Sequence, residues 1–194
     1  MKNKEISIIG DNQLIDNNDL GYYVYKSLRM STKLKNGITV ERLRSNIFHT
    51  ELIFHPMWLA KLLVIADRKP FPSKEIPMIG FVDAVSGYRG LSSSLKTNKY
   101  SIDPANMIAP KIEEYDDVTR YIQDVQHRQI NRSYVLKKPN HKIVDYFLVY
   151  LPLWKVKLSG DLLPDSRIIN AITGESETYL SDQWGTDKWY LKTY

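Results

Sequence analysis

The sequence predicts an α+β fold made of two similar units, each a helix packed on a small antiparallel sheet. Three observations predict it. First, one pattern occurs twice: an apolar run, Pro-x-Trp-x-x-Lys-Leu, a spacer, then Asp/Asn-Ala-x-Ser/Thr-Gly. The residues are Pro56, Trp58, Lys61, Asp83, Ala84, Ser86 and Gly87 in one copy, and Pro152, Trp154, Lys157, Asn170, Ala171, Thr173 and Gly174 in the other. Second, a helix-forming segment precedes each copy. Third, the composition is that of a folded domain: 194 residues, 43% hydrophobic and 25% charged, with 13 Tyr and 4 Trp that need packed surroundings. The copies are offset by 96 residues at the Trp and by 87 at the turn Gly. The length difference therefore sits in the loop after the Trp strand, where insertions are best tolerated.

Taken in order, residues 1–18 are polar, with Ile-Ser-Ile-Ile predicting a short strand or ordered arm. Asp19 is placed to cap a helix over 20–34, whose apolar spacing comes from Leu20, Val24 and Leu28. Asn36-Gly37 signals its stop, and residues 38–48 fit either a short helix or a strand. A strand is predicted over 50–66, with Pro56 marking an edge, bend or bulge because proline gives no ladder donor. Residues 68–72 read as a loop. Two strands over 76–94 meet at Asp83–Gly87, where an Asp side chain accepts turn amides and Gly takes the positive φ.

The stretch 96–112 is polar and broken by Asp103-Pro104 and Ala109-Pro110, which predicts a linker. The clearest helix runs from Glu113 to about Ser133. Glu113, Glu114, Asp116 and Asp117 crowd its start and Arg128 and Arg132 its end, complementing the helix dipole. Tyr121, Ile122, Val125 and Ile130 form its buried stripe. Lys138-Pro139-Asn140 ends it, a strand follows over 143–158, Gly160–Asp165 is a turn, and a hairpin lies at Asn170–Gly174. The aromatic tail, with Trp184, Trp189, Tyr190 and Tyr194, is expected to dock on the body. These elements divide the chain into residues 1–97, a first unit with an N-terminal arm, and 98–194, a linker and second unit with the aromatic tail.

A Pro-x-Trp strand followed by an Asp-Ala-x-Ser/Thr-Gly hairpin resembles the PepSY-like and cystatin-like α+β units. The residues that carry the resemblance are Asp83, Ala84, Ser86 and Gly87, then Asn170, Ala171, Thr173 and Gly174, about a third of the chain with its surroundings. Asn170 departs from the family pattern, which favours Asp. The resemblance implies a non-catalytic module that binds or inhibits a partner; fold alone does not fix function.

Composition narrows the chemistry. Without cysteine there are no disulfides, thiolate metal sites, iron–sulfur clusters or cysteine nucleophiles. The start has no apolar segment of signal-peptide length and no stretch reads as a membrane span, so a cytoplasmic protein is expected. Net charge is +5, and the excess lies in residues 1–97, with 14 Lys and Arg against 9 Asp and Glu. Lys26, Arg29, Lys33, Lys35, Arg42 and Arg44 read as a solvated helical face or as a patch for an acidic partner. No P-loop, His-Glu-x-x-His or Gly-x-Ser-x-Gly motif occurs.

His49 and His55 are read as surface or core-rim histidines, and His127 as solvent-facing. Asp83 is the acid to watch, but its exchange for Asn170 favours a hydrogen-bonded turn over acid–base work. Trp58 and Trp154 are anchors that could also stack on a ligand, with Lys61 and Lys157 flanking. Pro56, Asp83, Gly87, Pro152, Asn170 and Gly174 are read as structural. No catalytic residue, cofactor or metal is expected.

Two functions fit. The first is a binding or regulatory protein acting on a peptide or protein partner, of immunity, inhibitor or accessory type. The alternative is a nucleic-acid-binding protein using the basic first half with Tyr22, Tyr23 and Tyr25, or a small enzyme with a dispersed site.

Overall fold

Sustained apolar runs make strands the backbone of this molecule. The computed structural model describes residues 3–35, 37–93, 96–159, 163 and 166–191. Within them the chain is α+β, with five α-helices and seven strands. The strands join one sheet where two small sheets were expected. Its order is β4 (Arg89–Ser92), β3 (Phe71–Asp83), β2 (Ile47–Arg68), β6 (Asn140–Leu158), β1 (Lys4–Ile9) and β5 (Thr97–Ile102), with β7 (Arg167–Asn170) pairing β6 off that path. Among the described residues no helix is long and apolar enough to cross a membrane.

Two strands are unusually long, β2 with 22 residues and β6 with 19. Each contributes residues to both of two compact units. One unit comprises Met1–His55, Asn98–Ile108 and Leu151–Asp182; the other comprises Pro56–Thr97, Ala109–Tyr150 and Gln183–Tyr194. Each unit is thus assembled from three chain segments and has its own core.

In the first unit, Leu20, Val24, Leu28, Leu43, Val156 and Ile169 are among the core residues. The helix expected over 20–34 is broken. Leu28 leaves helical geometry at φ −76°, ψ 143°, separating α1 (Leu20–Ser27) from α2 (Met30–Lys35). Packing explains the break, because it carries Leu28 into the core at 9% exposure. Asp19 does not cap through its side chain. Asp16 does so one turn earlier, accepting the Asn18 amide at 2.8 Å ahead of a 3₁₀ turn at Asn17–Asp19. Thr39 settles the ambiguous segment as a helix, α3 (Val40–Asn46), by accepting the Arg42 amide at 3.2 Å.

The linker expected over 96–112 contains β5 and a 3₁₀ turn at Pro104–Asn106. Ile102 is buried and Tyr100 packs on Phe54 at 5.8 Å, so two apolar side chains dock an otherwise polar segment. Asp103 caps the 3₁₀ turn through the Ala105 amide at 3.0 Å.

The second unit is built on the antiparallel β2–β3 hairpin, paired from Met57↔Asp83 to Ala66↔Lys74. After a bulge, Arg68 pairs with Phe71, so the expected 68–72 loop contracts to Lys69-Pro70. Trp58, Ala60, Leu62 and Val64 alternate into the core, where α4 (Tyr115–Val125) presents Val118, Tyr121 and Ile122. The expected helix continues as a π turn at Gln126–Ile130 and a 3₁₀ turn at Asn131–Ser133. It ends before Lys138-Pro139. Asn36, Tyr194 and, apart from Leu163 and Ser166, the 160–166 region lie outside the described residues, so the expected Gly160–Asp165 turn does too.

Candidate functional site: two tryptophan-backed turns and a cationic cleft

Asp83 is fully buried at the end of β3. Its Oδ1 accepts the Val85 and Ser86 amides at 2.8 and 3.3 Å, and its Oδ2 accepts the Ser86 hydroxyl at 2.7 Å. The Gly87 amide donates to the Asp83 carbonyl at 2.9 Å, with Gly87 at φ +74°. Tyr121 lies over this glycine; an added Cβ would stand 2.9 Å from its Cε1. Behind the turn the Ala84 amide donates to the Pro56 carbonyl at 3.1 Å, while the Ala84 carbonyl accepts Lys111 and Ile112 amides at 2.8 and 2.9 Å. Trp58 closes the assembly by donating its indole N–H to the Ile112 carbonyl at 2.8 Å.

The backbone bonds of this turn recur around Asn170 in the first unit. Its Oδ1 accepts the Ile172 and Thr173 amides at 3.0 and 3.1 Å, and its carbonyl accepts the Gly174 amide at 2.9 Å. Gly174 has φ +73° and lies under the ring of Tyr23. The Ala171 amide donates to the Pro152 carbonyl at 2.9 Å, and the Ala171 carbonyl accepts the Ile15 amide at 2.7 Å. Trp154 donates to the Ile15 carbonyl at 3.0 Å.

Pro56 therefore sits in a strand with neighbours on both sides rather than at a sheet edge. It is tolerated because regular β2–β3 pairing begins only at Met57. Lacking an N–H, it leaves the Ala84 carbonyl to the incoming 111–112 segment; Pro152 does the same for Ala171.

The side chains at the head of the two turns use their second atom differently. Asn170 has a donor that Asp83 lacks, and its Nδ2 reaches Glu177 Oε1 at 3.3 Å. Burial holds the Glu177 carboxyl above its ordinary range, opposed by this hydrogen bond and by nearby His55. His55 is fully buried, not at the surface or core rim: it belongs to the run Ile53–Ala60, which is buried on both faces. His49 and His127 are exposed. Among the described residues no three His, Cys, Asp or Glu side chains are placed to hold a metal.

Trp58 is 6% exposed and packs near Tyr115 and Tyr146, whereas Trp154 is half-buried. Lys61 lies 3.8 Å from Asp145 and 5.4 Å from the Phe147 ring centre, and Lys157 is exposed. In the basic first half, Lys33 sits over the Tyr25 ring at 4.3 Å, and Tyr22 packs edge-on against Tyr23 at 5.3 Å.

A second feature, which sequence reading did not assemble, lies entirely in the second unit. The tail docks as expected. Trp189 meets Tyr88 edge-on at 5.1 Å, the Tyr190 hydroxyl donates to the Val85 carbonyl, and the Leu191 amide donates to the Tyr121 hydroxyl at 3.2 Å. Between tail and α4 opens a cleft of about 680 Å³. Arg89 joins its walls. Its Nε and Nη2 donate to Asp124 Oδ2 at 2.8 and 2.7 Å, and its Nη1 donates to the Gly87 and Trp189 carbonyls at 2.8 and 2.7 Å. Arg128 takes the other Asp124 oxygen at 2.7 Å. The available signal was Arg89 two residues after the turn glycine, where the other copy has Ser176.

Comparison with family models, curated proteins and solved structures gives no match.

Proposed function

We propose that the chain is a non-catalytic binding or regulatory protein acting on a peptide or protein partner, of immunity, inhibitor or accessory type. The observation that carries this reading is the use of the motif residues. Asp83, Gly87, Trp58, Pro56 and their counterparts are bound into the two turns, while the cationic cleft stands open beside one of them. A framework locked by internal hydrogen bonds that presents a polar cleft suits recognition.

We further propose that the two turn assemblies are copies of one α+β element of the PepSY-like or cystatin-like kind. Their matching bonds support this, as does the repeated order of helix, Trp strand and turn. The helix of each copy packs with the turn of the other: Tyr23 of α1 covers Gly174, and Tyr121 of α4 covers Gly87. Such an exchange resembles the swapping of elements between protomers.

The test is capture from the native host using the full chain as bait, followed by mass spectrometry. Saturable capture of a defined protein supports the reading. A turnover measured on purified protein and lost in a folded Asp83→Ala variant refutes it.

A further inference from the structure

We infer that the cleft of the second unit is the contact site for a short acidic segment of the partner, its carboxylates received at the Arg120–Lys188 rim. This inference rests on the peptide-partner reading above. The lining holds four permanent cations, Arg89, Arg120, Arg128 and Lys188, against one carboxylate, Asp124. Arg89 and Arg128 both bind Asp124, so that acid is compensated within the wall. Arg89 is buried to 9% side-chain exposure and holds its neighbours in place. Three cations reach solvent: Arg128, 69% exposed and held on Asp124; Arg120, 42% exposed and 3.4 Å from Asp117; and Lys188, which lies over the Trp189 ring at 4.9 Å.

Three features favour a peptide over a nucleic acid. The cationic positions are few and confined to a cleft, whereas a polyphosphate chain needs a continuous basic track. Asp117 against Arg120 and Asp124 against Arg128 interrupt any such track. Gln123, Gln129 and the Leu191 side also line the cleft, giving it the amide and apolar contacts that suit a peptide backbone and its neighbouring side chains. The first unit has Ser176 in place of Arg89 and lacks the docked tail, so the cleft is where the two turn assemblies diverge.

The experiment is fluorescence anisotropy on the full chain with labelled hexaglutamate, hexalysine and oligo-dT. Hexaglutamate is expected to bind saturably and to weaken as salt rises. Arg120→Glu with Lys188→Glu should reduce its affinity at least tenfold. Lys74→Glu with Lys142→Glu, an equal charge change at exposed sites outside the cleft, should reduce it less than threefold. Should the reversed pair fail to fold by circular dichroism, Arg120→Gln with Lys188→Gln replaces it, with at least a threefold loss expected. No saturable hexaglutamate binding, tighter oligo-dT binding, or equal losses in both charge-changed pairs overturns the inference. In any of those cases, host-protein capture that persists in Arg120→Gln/Lys188→Gln leaves the peptide-partner reading standing at another surface; loss of capture by the unaltered chain is what counts against that reading.

Discussion

Asp83 and Asn170 do the same turn work, with different atoms left over. Asp83 gives its second oxygen to a hydroxyl, and Asn170 gives its amide to Glu177. Replacing Asp83 by Ala leaves two turn amides and a hydroxyl in a buried site without their acceptor, and should cost about 2–4 kcal/mol in chemical denaturation. Asp83→Asn retains Oδ1 and should cost less than half as much. Glycine chemistry is equally local. Gly174→Ala places a Cβ on Tyr23 at positive φ and should cost about 2–4 kcal/mol, whereas Gly185, with open space around it, should tolerate Ala within about 1 kcal/mol. Glu177 supplies a pH test. Its folded pKa lies above 4.5, so the native state holds the proton more tightly. Its contribution is full below that value and is lost as pH rises through the folded pKa. Glu177→Gln should therefore raise the melting temperature at pH 7 relative to pH 4, as scanning calorimetry would show; a gain confined to pH 4 would contradict this.

At the scale of elements, long periodic segments were legible and short ones were not. The β2 and β6 strands announced themselves by sustained apolar runs, and α4 by charge order and stripe. Leu28 could not reveal the break between α1 and α2, because its helical spacing is satisfied until the core claims the side chain. β5 was hidden by polar residues and depends on Tyr100 and Ile102 finding apolar neighbours. The turn residues could be read because their chemistry is local, but the cleft could not: Arg89, Asp124 and Trp189 are far apart in sequence and meet only in the folded unit. The Trp strands give a prediction at this scale. Trp58→Phe removes a buried donor to the Ile112 carbonyl and should cost about 1–3 kcal/mol in urea unfolding. Trp154→Phe should cost less, because Trp154 is half-buried and water can replace the lost donor at Ile15.

For the whole molecule, stability should be bounded on both sides of neutrality. Burial, with a smaller contribution from His127, holds the His141 pKa below 6.5. The native state then binds fewer protons than the unfolded chain, so stability is full above 6.5 and falls as pH drops through that value toward the folded pKa. Burial raises the Tyr150 and Tyr190 hydroxyls above 10.0. Their contribution is full below that value and is lost as pH climbs through the raised pKa values. Thermal melts across pH 5–11 should decline at both ends, and Tyr150→Phe should flatten the alkaline limb. An alkaline limb unchanged by that substitution would assign the decline elsewhere. The net charge of +5 adds a solvent-side term that salt should weaken.

The prolines behind the two turns also act as register pins. The β2–β3 hairpin keeps one regular register from Met57 to Ala66, and a two-residue slip would keep every side chain on its proper face. Side-chain pattern alone therefore gives little protection against such a slip. Pro56 supplies it: sliding the ladder past Met57 would bring a residue with no N–H into regular pairing and deprive the Ala84 carbonyl of its two donors from Lys111 and Ile112. A missing hydrogen atom thus acts as a ruler mark, fixing where the strand stops pairing and, with it, where Arg89 emerges two residues beyond the turn.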